Sequence, residues 1–79
     1  MSILPALGSK EIIAALLKSG FRIIRQVGSH VRLQHSTDPT RQTSVPVHPG
    51  DVPRWLVREI LKQSRVPLTH FLKLIRKQN

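Results

Sequence analysis

The sequence predicts a small α+β domain of two layers: a three-stranded antiparallel sheet covered by helices on one face, in the order α-β-β-β-α-α. Three observations predict it. Apolar residues first recur at helical spacing between Ser9 and Lys18. They then alternate with polar residues in three stretches, from Phe21 to Val27, from His30 to Gln34 and from Thr43 to Val47, each bounded by turn residues. From Val52 onward helical spacing returns twice, with a break between Gln63 and Pro67. A meander of three strands with one apolar face has only the helices to bury it.

Each element has its own signal. Residues 1–8 show no periodicity and contain Pro5, so they read as an N-terminal arm, leaving 9–79 as a single domain. Ser9 is the expected N-cap, and Glu11 sits in the first turn, where the helix dipole favours an acid. Ile12, Ile13, Leu16 and Leu17 form the buried stripe, and Gly20 ends the helix. In the first strand Phe21, Ile23 and Val27 share one parity, with Arg25 the exception on that apolar side. In the second, Val31 and Leu33 oppose His30, Arg32 and Gln34. Ser36 to Arg41, around Asp38-Pro39, is a polar turn. In the third strand Thr43, Val45 and Val47 carry on the apolar parity, and Pro46, which lacks an N–H, makes this an edge. Pairing Val31 with Val47 sets His30 opposite His48, and pairing it with Val45 sets them on a diagonal. Either register leaves both imidazoles on the polar face. His48-Pro49-Gly50-Asp51 is a turn in which Asp51 can satisfy backbone donors, and Pro53 suits the first turn of the next helix. There Val52, Trp55, Leu56, Val57, Ile60 and Leu61 are apolar, and Arg54, Arg58 and Lys62 form a basic face at i, i+4, i+8. Leu68, Phe71, Leu72 and Ile75 define a last helix, ending in the cations Lys73, Arg76 and Lys77.

Composition narrows the function. There is no cysteine, which excludes disulfides and thiolate metal sites. No apolar run approaches the roughly 20 residues of a membrane span. The start lacks the basic and apolar regions of a signal peptide, so a cytoplasmic protein is expected. Thirteen Lys and Arg against four Asp and Glu give a formal charge of +9, and the cations are spread along the chain. A folded domain this basic expects a polyanion, and nucleic acid is the first choice. With one Trp, two Phe and no Tyr there is little to stack bases on, so recognition through phosphates and shape fits better. Arg25, Arg32, Arg54, Arg58 and Lys62 are the candidate phosphate contacts.

The chemistry centres on Gly28-Ser29-His30, a tight turn that delivers a hydroxyl and an imidazole to the mouth of a strand. Imidazole, with an ordinary pKa of roughly 6.5, takes and gives protons near neutral pH. His30 is the candidate proton-transfer residue. Ser29 and His48 are auxiliary candidates. Ser29 could orient the imidazole or contact phosphate, and His48 could serve as a second proton carrier or simply hold the Pro49-Gly50 turn. A zinc site from His30, His35 and His48 lacks a credible ligand set, since parity puts His35 on the other face, and no metal or other cofactor is expected. A non-catalytic basic domain holding structured RNA by its phosphates is the alternative.

The element order resembles that of double-stranded-RNA-binding domains. More specifically, the chain resembles HicA-type toxins, the small ribonucleases of bacterial toxin–antitoxin pairs. Ser9-Lys10-Glu11, Gly20-Phe21, Arg25 to His30, Val45-Pro46-Val47-His48-Pro49-Gly50, Ile60 to Gln63 and Phe71-Leu72 carry that resemblance in order and spacing. It departs at Ser64-Arg65, where the family often has a glycine. The resemblance implies mRNA-cleaving activity, a catalytic histidine mapping to His30, and a cognate HicB-type antitoxin as partner.

Overall fold

A computed structural model describes residues 4–76, and Lys77 of the basic C-terminal cluster lies outside the described residues. In order the elements are β1 (Leu7–Gly8), α1 (Ser9–Lys18), β2 (Phe21–Val27), β3 (His30–His35), β4 (Gln42–Pro46), β5 (Asp51–Val52), α2 (Arg54–Ser64) and α3 (Leu68–Arg76). The predicted order α-β-β-β-α-α is present, and the main sheet is the antiparallel meander β2-β3-β4, with β4 at an edge as Pro46 requires. α1 and α2 lie against this sheet, and α3 packs on α1. The core between the layers is built from Ile12, Ala15 and Leu16 of α1, Val31, Leu33 and Val45 of the sheet, Val57, Ile60 and Leu61 of α2, and Phe71 and Ile75 of α3.

Two short strands were not predicted. β1 pairs antiparallel with β5, Leu7 opposite Val52 and Gly8 opposite Asp51. Leu4 and Leu7 are buried in the core, so from Leu4 on the expected arm packs as part of the fold. A two-residue strand is too short to show alternation, which is why periodicity missed it. The N-cap of α1 is Gly8 rather than Ser9: the Glu11 carboxylate accepts the Gly8 N–H at 2.9 Å, half of a capping box. Likewise Pro53 caps α2 from outside, its carbonyl accepting the N–H groups of Leu56 and Val57. Asp51, assigned to a turn, is the first residue of β5.

The parity read for the first strand fails halfway. Ile23 pairs with Leu33, but the next pair is Arg25 with Arg32, so β2 carries one extra residue. This bulge turns Arg25 to the outer face of the sheet, alongside Arg32, and Val27 to that face, opposite His30. Val27 therefore sits 64 % exposed. Only Phe21 of β2 is buried, since the helices do not reach over the rest of this edge strand. Leu17 and Trp55, placed on apolar stripes, are also exposed, Trp55 at 68 %.

The turn after α2 is closed without glycine. The Arg65 N–H meets the Lys62 carbonyl and the Val66 N–H the Leu61 carbonyl, a Schellman ending, with Arg65 in the left-handed region at φ 56°, ψ 35°. Arg65 reaches Asp38 at 3.0 Å and the Thr40 hydroxyl at 2.6 Å, and Arg41 donates to the Ser64 carbonyl at 2.8 Å. Cross-links to the β3–β4 turn thus hold a conformation that an arginine backbone disfavours.

Candidate active site

The site is built by the β2–β3 hairpin. Val27 and His30 pair across a two-residue turn, Gly28-Ser29. Gly28 takes φ +58°, which glycine adopts without strain, and nothing lies within 4 Å of where its Cβ would stand. The turn is tied to the far strand by a hydrogen bond from the Val47 N–H to the Ser29 carbonyl. The backbone presenting His30 is therefore held on both sides.

His30 pairs across with Pro46, and Val31 with Val45, the second of the two registers; the ladder ends at Pro46, before His48, so strand pairing does not set the two imidazoles on one face as the alternation implied. The His30 ring is exposed and makes no hydrogen bond among the described residues. Ser29 is exposed as well, and its hydroxyl takes no partner among them. Beside His30 on the outer face lie Arg32, two residues along β3, and Arg25, which pairs with Arg32. The Arg32 guanidinium is held in place by Ser44 Oγ at 3.1 Å and Gln42 Oε1 at 2.8 Å, and Gln42 is itself fixed by the Pro39 carbonyl at 2.7 Å. A cation anchored in this way needs no rearrangement to meet a phosphate.

The other predicted residues divide. His48 lies beyond the end of β4, in the turn leading to β5, with Nδ1 3.0 Å from the Pro49 carbonyl oxygen. That contact matches a turn-holding role. His35 stacks edge-on against Phe21 at 5.2 Å between centroids, and its Nδ1 accepts the Thr37 N–H at 3.2 Å. Its own pairing with Phe21 puts it on the inner face, away from His30. Arg54 is exposed, and its Nε donates to the Leu4 carbonyl at 2.9 Å, fastening the N-terminal segment to α2. Arg58 and Lys62 are exposed on α2, on the side turned away from Val57, Ile60 and Leu61. The cations thus form two sets, Arg25 and Arg32 with His30 on the outer sheet face, Arg58 and Lys62 across the molecule on the helix layer. The pairing also adds Arg22, exposed and on the same face as Arg25; its polar parity was read correctly along the chain, but it was not named as a phosphate contact.

Against known proteins, the chain matches the model of one family, described as the HicA toxin of bacterial toxin-antitoxin, over residues 9–66. The match covers well over half of the chain. The chain belongs to this family. It is thus a toxin of toxin–antitoxin type, from a family whose members are generally ribonucleases and act with a cognate antitoxin. No curated protein matches the chain. Among the described residues no helix is long and apolar enough to cross a membrane.

Proposed function

We propose that this HicA-family chain is a metal-independent endoribonuclease that cleaves mRNA by His30-assisted attack of the RNA 2′-OH, and so stops translation and growth. The observation that carries the reading is the outer sheet face at the hairpin. There an imidazole with no hydrogen-bond partner among the described residues stands beside two arginines, one of them anchored, on a backbone pinned by the Gly28 turn and the Val47 link. His30 takes the proton of the 2′-OH as its oxygen attacks phosphorus. The bond to the 5′ oxygen breaks and that oxygen takes a proton from water or from a protonated His48, leaving a 2′,3′-cyclic phosphate and a 5′-OH. Arg25 and Arg32 balance the charge that builds on the phosphorane oxygens. Ser29 can orient the phosphate, and His48 is the second proton carrier to test. In this reading the protein works in the bacterial cytoplasm, where its substrate is, and its HicB-type antitoxin covers the face bearing His30 with acidic residues that complement the +9 charge.

A single gel tests the chemistry. Wild type should cut RNA in EDTA, and substrate with a 2′-deoxy sugar at the cut should bind and stay whole. His30→Ala should lose at least 10²–10⁴-fold in rate with fold and RNA affinity kept. Full cleavage by a folded His30→Ala protein would move the role to His48, and RNA binding with no cut by wild type would leave only a binding domain.

A further inference from the structure

Next to the hairpin lies an open groove of about 610 Å³. One wall is the first turn of α1, from Gly8 to Glu11, and the other is the turn from Val47 to Gly50. Val47 and Pro49 make its surface largely apolar, with few polar groups at the rim, the composition of a small-ligand site of ordinary size. Those polar groups are specific. Ser9 is only 5 % exposed, yet its hydroxyl has no hydrogen-bond partner among the described residues. Lys10 adds a cation, and the first N–H groups of α1 have no acceptor within the helix. His48 is fixed through Nδ1 to the Pro49 carbonyl, so its Nε2 is the ring atom left for a ligand.

The groove adjoins the backbone of the hairpin. Its wall starts at Val47, whose N–H is bound to the Ser29 carbonyl, one residue past the Pro46 that faces His30. Glu11 in the wall disfavours a bare phosphate. A base edge, which offers N–H donors as well as acceptors, suits a rim holding a carboxylate, a hydroxyl, an imidazole and an ammonium group.

We propose that this groove is a nucleotide subsite, holding one unpaired nucleotide beside the bond that His30 acts on and thereby selecting which sequence is cut. The base lies on Val47 and Pro49 with its edge toward Ser9 and His48, and its phosphate faces Lys10. This rests on the ribonuclease reading, so the test has one arm independent of cleavage. In that arm the His30→Ala protein is titrated with the four nucleoside 5′-monophosphates and with inorganic phosphate, and backbone amides are followed by NMR. Saturable shifts at Ser9, Lys10, Val47, His48 and Gly50 that differ among the four bases are expected. Shifts reproduced by inorganic phosphate alone, or confined to α2, would overturn the subsite. In the second arm wild type, Ser9→Ala, Lys10→Ala and Arg58→Ala cut RNAs that differ only in the nucleotides flanking the cut. Ser9→Ala should change the ratio of kcat/KM between bases about three- to tenfold, the worth of one hydrogen bond, whereas Arg58→Ala should leave that ratio unchanged. Cleavage with an unchanged base ratio in Ser9→Ala and Lys10→Ala would sink the subsite and leave the ribonuclease intact. Base-dependent shifts with no cleavage by wild type would sink the ribonuclease and leave the groove as a binding site.

Discussion

Arg65 holds a backbone conformation that belongs to glycine, and two side-chain contacts are its compensation. At φ 56° an L-residue is strained by about 1 kcal/mol, a cost glycine does not bear. Arg65→Ala keeps the strain and loses the bonds to Asp38 and Thr40, whereas Arg65→Gly loses the bonds and the strain together. Urea denaturation should therefore find Arg65→Gly more stable than Arg65→Ala by about 1 kcal/mol. Equal midpoints would mean the turn relaxes when the arginine is removed. Asp38, at the other end of the same contact, has its carboxyl held below the ordinary carboxylate range. The Thr40 hydroxyl is the main cause; desolvation opposes it, and the Thr40 N–H, Arg65 and Arg41 add to the lowering. A depressed pKa in the folded state means the contribution is full above the unfolded value and is lost as pH falls through the folded one. The stability gap between wild type and Asp38→Asn should accordingly be open at pH 6 and shrink below about pH 4, where the unfolded carboxyl takes up its proton. A gap that stays constant to pH 2 would show that the carboxylate charge is irrelevant to the turn.

At the scale of elements, the bulge in β2 decides what the site contains. Strict alternation from Phe21 would turn Arg25 inward with Ile23. The extra residue turns it outward, beside Arg32 and on the face of His30. Because Ile23 pairs with Leu33 and Arg25 with the next residue, Arg32, deleting Ile24 should leave a regular strand with the same pairs and the same faces. The shortened protein should fold, and NMR contacts between strands should still join Arg25 to Arg32. Loss of those contacts, or an unfolded chain, would show that the bulge itself is needed. Leu33, fully buried where α1 and α2 meet the sheet, is the counterpart test of the inner face. Leu33→Ala should cost roughly 2–5 kcal/mol, a large share of what a domain this small possesses. A melting midpoint that does not move would reverse the assignment of faces.

Over the whole molecule, charge and layering combine. The sheet separates Arg25 and Arg32, beside His30, from Arg58 and Lys62 on the far side of α2. A short RNA lying across His30 touches the first set alone. Arg25→Ala should therefore lower both affinity and cleavage of a short substrate, while Arg58→Ala should matter only for RNA long enough to wrap to α2. With either substrate log affinity should fall with log salt, by roughly 0.7–0.9 per phosphate neutralised, and the slope should be steeper for the long RNA. Equal slopes for short and long RNA would show that the helix face takes no part. Arg54, bound to the Leu4 carbonyl, also ties the N-terminal segment to α2, so Arg54→Ala should lower stability, whereas Arg58→Ala should not.

Much of this was legible along the chain because it is local. Helical spacing marked α1, α2 and α3, glycine and proline marked the turns, and Gly28-Ser29 placed His30 at a strand mouth whatever the rest of the fold did. Pro46 already implied an edge, since a residue without an N–H cannot sit inside a ladder. Tertiary structure decided the rest, because each remaining feature depends on a partner distant in sequence. The bulge that turns Arg25 outward exists only relative to β3. Leu4 and Leu7 are core rather than arm because β5 and the helices offer a surface to bury them. Arg54 fastens the N-terminal segment because the Leu4 carbonyl, fifty residues away, lies within reach. The groove between α1 and the Val47–Gly50 turn has walls thirty-six or more residues apart, so no spacing rule along the chain could have assembled it.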